Sequence, residues 1–126
     1  MASTVPPATV HTHFGRRLVM IGFGSIGQGV LPLILRHIGG LAPSDITILT
    51  ADDAGRDVAA QYGVRLLIEP LTRDNFRTVL DPLLGPGDFL LNLSVDVSSV
   101  ALIGYAGERG ALYLDTCIEP WPGGYT

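Results

Sequence analysis

Apolar residues along the chain fall into two kinds of pattern that alternate from end to end. Short runs rich in Val, Ile and Leu read as strands, and stretches with apolar positions three or four residues apart read as helices. Strands are expected over residues 16–21, 46–49, 64–68, 89–93 and 112–114. The first helix is expected over residues 25–38, where Ile26, Val30, Leu33, Ile34 and Ile38 share one face and Gly39-Gly40 supplies the stop. Pro32 interrupts that face and predicts a kink or a displaced turn. Further helices are expected from 53 to 63, from 72 or 74 to about 84–85, and from 98 to 109, the last capped by Ser98 or Ser99 and ended by Gly110. Strands that alternate with helices in this way specify an α/β fold, a Rossmann-type doubly wound parallel sheet.

Such a sheet binds its ligand outside the carboxyl ends of the strands, where strand order reverses, so the residues just past each strand are the ones to read. Past the first comes Gly22-Phe23-Gly24-Ser25-Ile26-Gly27, a GxGxxG turn between strand and helix. Gly22 permits the tight turn, Gly24 lets backbone approach a pyrophosphate, and Gly27 lets the helix pack close to the strand. The phosphates would rest on the free N–H groups at the start of the helix, around Ser25 and Ile26, with the Ser25 hydroxyl as a further donor. A glycine-rich turn that merely packs well is the alternative; the flanking strand and helix favour nucleotide binding.

Past the second strand an acid usually accepts bonds from the adenosine ribose. Thr50 stands at that place here, which makes Asp52 a substitute, or else a helix cap shared with Asp53. Arg56 raises the question of a 2′-phosphate, and the neighbouring acids favour NAD over NADP. Past the fourth strand, polar groups close an apolar run, which is costly unless something binds them. Asn92, Leu93 and Ser94 are therefore expected against the ribose and pyrophosphate on the nicotinamide side, while Ser98 and Ser99 read as caps. Past the fifth strand, Glu119 beside Trp121 suits an organic cation, with a carboxylate for charge and an aromatic face for contact. A surface turn with a packed Trp is the alternative. Cys117 has no basic activator nearby in the sequence and reads as a small core residue.

Composition narrows the partners. At 126 residues the chain is one domain's worth, with residues 1–15 as a flexible N-terminal arm and 16–126 as the dinucleotide-binding domain. The net charge is -4 and the 8 basic residues are scattered arginines, which argues against nucleic acid. No apolar segment approaches the roughly 20 residues of a membrane span. The single Cys and the lack of a secretory signal point to a reduced, cytoplasmic setting. His11 and His13 read as solvated residues of the arm, and no metal site is expected.

Several stretches together are more specific than GxGxxG. They are residues 19–29 with Leu31-Pro32-Leu33-Ile34, then Thr72-Arg73-Asp74-Asn75-Phe76, then residues 92–99, then residues 111–116 leading into Ile118-Glu119-Pro120-Trp121. In this order they resemble the bacterial homospermidine synthases of the saccharopine dehydrogenase-like group, from Leu18 to Tyr125. The resemblance implies a bound NAD that takes a hydride from an amine-bearing carbon, lets the imine exchange its amine, and returns the hydride. Two putrescines, or related diamines, would give homospermidine and ammonia. It also implies cofactor contact at Thr116, an amine-site wall built from Glu119, Trp121 and Asp96, and a homodimer formed through a second domain. Two departures stand out: Thr50 replaces the family's usual Asp, and members of the group continue for several hundred residues. The expectation is a cofactor-binding fragment that is inactive alone, the alternative being a stand-alone NAD-sensing module.

Overall fold

In the computed structural model, which describes residues 12–116 and 118–123, the apolar runs become parallel strands. The elements follow in the order Thr12–His13 (β1), Leu18–Ile21 (β2), Ser25–His37 (α1), Ile38–Gly39 (β3), Ile46–Thr50 (β4) and Arg56–Tyr62 (α2), then Arg65–Ile68 (β5), Phe76–Leu80 (α3), Phe89–Asn92 (β6), Ser99–Arg109 (α4) and Leu112–Asp115 (β7). Five of them form one sheet in the order β5-β4-β2-β6-β7, and every pairing is parallel. The chain moves outward from β2 to β4 and β5, crosses back to β6 beside β2, and moves outward again to β7. Strand order thus reverses between β2 and β6, the arrangement of a doubly wound Rossmann-type sheet.

The two helical layers follow from the pleat. Leu18 and Met20 of β2 point to one face and pack with Leu31 and Ile34 of α1 and Ala59 of α2. Val19 and Ile21 point to the other and pack with Phe76 and Leu80 of α3 and with Leu102 and Tyr105 of α4. A strand covered on both faces has no polar side, which is why it reads as an unbroken apolar run. Full burial of each such aliphatic side chain stabilises by about 1.5–3 kcal/mol.

The boundaries differ from expectation where side-chain bonds close a turn ahead of a helix or a strand pairing takes over from one. α2 begins at Arg56, not 53, because the Asp52 carboxylate accepts the Ala54 N–H at 3.0 Å and holds a turn, leaving Gly55 at the N-cap. α3 is reduced to Phe76–Leu80 by a reciprocal lock ahead of it: the Thr72 N–H donates to Asn75 Oδ1 at 2.7 Å and the Asn75 N–H to Thr72 Oγ1 at 3.2 Å. Gly63 and Gly110 end α2 and α4 in the left-handed region, at φ 70° and 71°, as expected of helix stops. α1 continues through Pro32 to His37. Its expected stop is replaced by strand β3, which pairs with β1; the Phe14 N–H donates to the Gly39 carbonyl at 2.7 Å. Thr12 to Phe14 of the expected flexible arm are therefore tied to the domain, and the His13 ring lies against Gly40. His11 and Cys117 lie outside the described residues. No described helix is long and apolar enough to cross a membrane.

Candidate functional site

A cleft of about 540 Å³ opens at the carboxyl ends of β2, β4, β5 and β6. Its floor is the glycine turn. Gly22 has φ +88°, and a Cβ there would stand 2.9 Å from Ser94 Cα and 3.0 Å from Ser94 N, so only glycine lets β2 turn this close to the end of β6. The Gly22 N–H donates to the Leu49 carbonyl at 2.7 Å and the Leu93 N–H to the Ile21 carbonyl at 2.8 Å, which ties the turn to both neighbours. Gly24 differs: it is the N-cap of α1 at φ -82°, and a Cβ would meet nothing within 4 Å. No side chain caps α1 and its first turn holds no acid, so its leading N–H groups face the opening with the positive end of the helix. A Cβ on Gly27 would lie 3.1 Å from both the Gly22 carbonyl and the Phe23 ring, the close helix-to-strand packing expected of it. Gln28 Nε2 braces the turn by donating to the Phe23 carbonyl at 2.9 Å.

The structure brings Gly22, Gly24, Leu93, Ser94 and Asp96 to this cleft, with Thr50 at the end of β4. Asp96 is held at φ 63°, a left-handed conformation that Asp tolerates better than most residues. Ser25 and Ile26 begin α1 beside the opening and are exposed, and Gly27 is buried below them. Asp52 is exposed and its carboxylate is engaged in its own turn. Glu69, just past β5, lines the cleft and was not anticipated, although the rule that flagged the ends of the other strands applies equally to β5.

Asn92 stands behind the wall and not in it. It is 1% exposed, and its Oδ1 accepts the Ser94 N–H at 3.1 Å and the Ser94 hydroxyl at 2.6 Å. Its Nδ2 donates to Tyr113 Oη at 3.3 Å, and the Tyr113 hydroxyl donates to Asp115 Oδ2 at 2.8 Å. The Tyr113 phenol is pushed up to about 12, by burial first; the bond from Asn92 opposes that shift and the bond to Asp115 adds to it. Thr116, past β7, is exposed and outside the cleft lining.

Glu119 and Trp121 do not line the cleft either. Glu119 is buried, with its backbone N–H donating to Ser99 Oγ at 2.9 Å and its carbonyl accepting the Ser99 N–H at 2.8 Å. Ser98, not Ser99, caps α4, accepting the Ala101 N–H at 3.1 Å. The Trp121 ring packs on Phe76 with centroids 5.5 Å apart, as in the packed-turn alternative. Phe76 in turn meets Tyr105 edge-on at 5.9 Å. Burial and a 2.6 Å bond to Asp81 Oδ1 raise the Tyr105 phenol pKa and keep it neutral.

At the opposite ends of the strands a second hollow of about 350 Å³ lies beside Arg17 and Asp88. Burial disfavours the Asp88 charge, but N–H donors from Gly85 and Arg17 and the Arg17 guanidinium outweigh it and hold the carboxyl below the usual range. Those bonds fasten β2 to the turn before β6, a structural role. Among the described residues no three His, Cys, Asp or Glu side chains are grouped to hold a metal.

Comparison with known proteins agrees with this geometry. Residues 18–122 match the saccharopine dehydrogenase NADP binding domain family, and the chain belongs to that family. It is 50% identical over 111 residues to homospermidine synthase from Blastochloris viridis and 44% identical to that from Mesorhizobium japonicum, in each case over 86% of this chain and 23% of the relative. The crystal structure of homospermidine synthase from Legionella pneumophila in complex with NAD superimposes with a TM-score of 0.85 at 38% identity, over 90% of this chain and 25% of that one. The chain thus spans about a quarter of the length of these relatives.

Proposed function

We propose that this domain holds NAD across the switch point between β2 and β6, as the cofactor-binding part of a homospermidine synthase. The observation that carries the reading is the likeness to the Legionella pneumophila enzyme solved with NAD, at an identity well above what fold alone requires. The open space over Gly24 fits the group, because backbone can approach a pyrophosphate there without a side chain between them. Gly22, Gly24, Ser25, Ile26 and Gly27 then bind the phosphates, Asp52 serves the adenosine ribose, and Leu93, Ser94 and Thr116 serve the nicotinamide side with Asn92 in support. NAD, when bound, supplies a reversible hydride acceptor for a carbon that carries an amine. The family's name specifies NADP, but the acids around Thr50, now including Glu69, disfavour a 2′-phosphate.

The substrate class we assign to the whole enzyme is putrescine or a related diamine, with Asp96, which lines the cleft, on one wall of its site. Leu112 and Leu114 are exposed on edge strand β7, an apolar surface suited to docking of further chain. A role as one domain of an enzyme, rather than a stand-alone NAD-sensing module, is supported by the identity shared with the synthases, and a cytoplasmic homodimer is the setting we propose for that enzyme. Calorimetric titration of this chain with NAD and NADP tests the cofactor, with NAD expected to bind more tightly; the reverse order would overturn the choice and direct attention to Arg56. Release of ammonia and homospermidine from putrescine by the whole protein tests the activity.

A further inference from the structure

We infer that Ser94 meets the cleft as a hydrogen-bond acceptor, its own proton being held by Asn92, and that it takes a hydroxyl of the nicotinamide-side ribose in preference to a phosphate oxygen. The inference rests on the NAD reading above and deepens it. Donor and acceptor roles along the chain Ser94, Asn92, Tyr113, Asp115 are fixed from both ends. At one end the Asp115 carboxylate accepts the Tyr113 hydroxyl at 2.8 Å, so the Tyr113 oxygen is left to accept from Asn92 Nδ2 at 3.3 Å. At the other end the Ser94 backbone N–H, which can only donate, lies 3.1 Å from Asn92 Oδ1. Turning the amide over would set its NH₂ against that N–H, donor facing donor. Asn92 Oδ1 therefore also receives the Ser94 hydroxyl proton across 2.6 Å.

Both donors of Ser94 are thus spent inside the protein, and what remains for the cleft is lone pairs on Oγ. A phosphate oxygen brings lone pairs of its own and is met only if the hydroxyl gives up its bond to Asn92. A ribose hydroxyl brings a proton and is accepted. The neutrality of the Tyr113 phenol keeps the chain in this polarity through the physiological range. Tyr113 and Asn92 are positioning residues here, since they act on the ligand only through Ser94.

The test compares three probes by calorimetry: ADP, which lacks the second ribose, ADP-ribose, which has it, and NAD. Ser94→Ala is expected to weaken NAD and ADP-ribose by about three- to tenfold, the worth of one hydrogen bond, and to leave ADP unchanged. Tyr113→Phe should give the same selective loss at about two- to fivefold, because the buried Asn92 NH₂ loses its acceptor and the amide that holds the Ser94 hydroxyl is less firmly placed. A merely structural role would instead weaken ADP alongside the other two. Equal loss for all three probes, or no loss for any, would overturn the role given to Ser94 while leaving the NAD reading intact. Failure of the unaltered chain to bind any probe would overturn both.

Discussion

Replacing Gly22 by alanine and Gly24 by valine should break the protein in two different ways, although the positions are two residues apart. At Gly22 the backbone sits at φ +88° and the new Cβ would press on Ser94 backbone at 2.9 Å, where no flexible side chain can move aside. The left-handed conformation costs about 1–2 kcal/mol and overpacking about 1–3 kcal/mol, giving about 2–5 kcal/mol against a total stability of about 5–15 kcal/mol. In a domain of this size that lowers Tm by about 10–20 °C. At Gly24 the backbone is in an ordinary extended conformation and the Cβ would enter open space. Loss of the glycine N-cap costs up to about 1 kcal/mol, a few degrees at most. Binding pays instead: the branched side chain stands where the pyrophosphate meets α1, and each charge-assisted hydrogen bond lost, at about 1.5–3 kcal/mol, weakens NAD about 10- to 150-fold. Thermal unfolding and NAD titration on both variants decide the matter. Undiminished NAD binding by folded Gly24→Val would remove the pyrophosphate from this turn, and an undisturbed Tm in Gly22→Ala would refute the steric reasoning at the switch point.

Gly55→Ala should lower stability by about 1–3 kcal/mol in chemical unfolding, because its Cβ would collide with the buried Phe23 ring; no change would mean that the turn repacks freely. Asp88→Ala should cost about 1.5–3 kcal/mol at pH 7 by leaving the Gly85 and Arg17 N–H groups without their acceptor. Because the folded carboxyl pKa is depressed, the contribution is present above the ordinary value of about 3.9 and is lost as pH falls through the folded one. The gap between the two proteins should therefore narrow at pH 3 in urea titrations, and a gap independent of pH would refute the linkage. Trp121→Ala should destabilise the domain by about 1–3 kcal/mol through lost contact with Phe76. Unchanged melting of that variant would restore Trp121 as a residue free for the amine.

The central strands were legible because burial on both faces leaves a local signal, the unbroken apolar run. The glycine turn was legible because the spacing of its glycines is itself a local pattern, although Gly22 answers a close approach by Ser94 of a distant strand end. Where a side-chain hydrogen bond is the determinant, apolar periodicity does not show it. α2 starts late because Asp52 holds a turn ahead of it, and α3 is short because Thr72 and Asn75 close on each other; neither contact leaves a mark in hydrophobic periodicity. Asn92 was recognised as a polar residue at a strand end that needed a partner, and the choice of ligand as that partner was the error. Its amide is satisfied by Ser94 and by Tyr113, and Tyr113 stands on the neighbouring strand, 21 residues away.

That satisfaction gives the cleft a division of labour along the proposed dinucleotide. On the α1 side the protein offers donors alone: N–H groups at the start of a helix that no side chain caps. On the β6 side Ser94 presents lone pairs, since its N–H and its hydroxyl both donate to Asn92. Pyrophosphate and ribose hydroxyls carry the opposite capacities, so a dinucleotide laid across the β2–β6 boundary is matched in one direction and mismatched when reversed. Polarity as well as shape would then orient the cofactor, and the orientation would be set by side chains that never touch it.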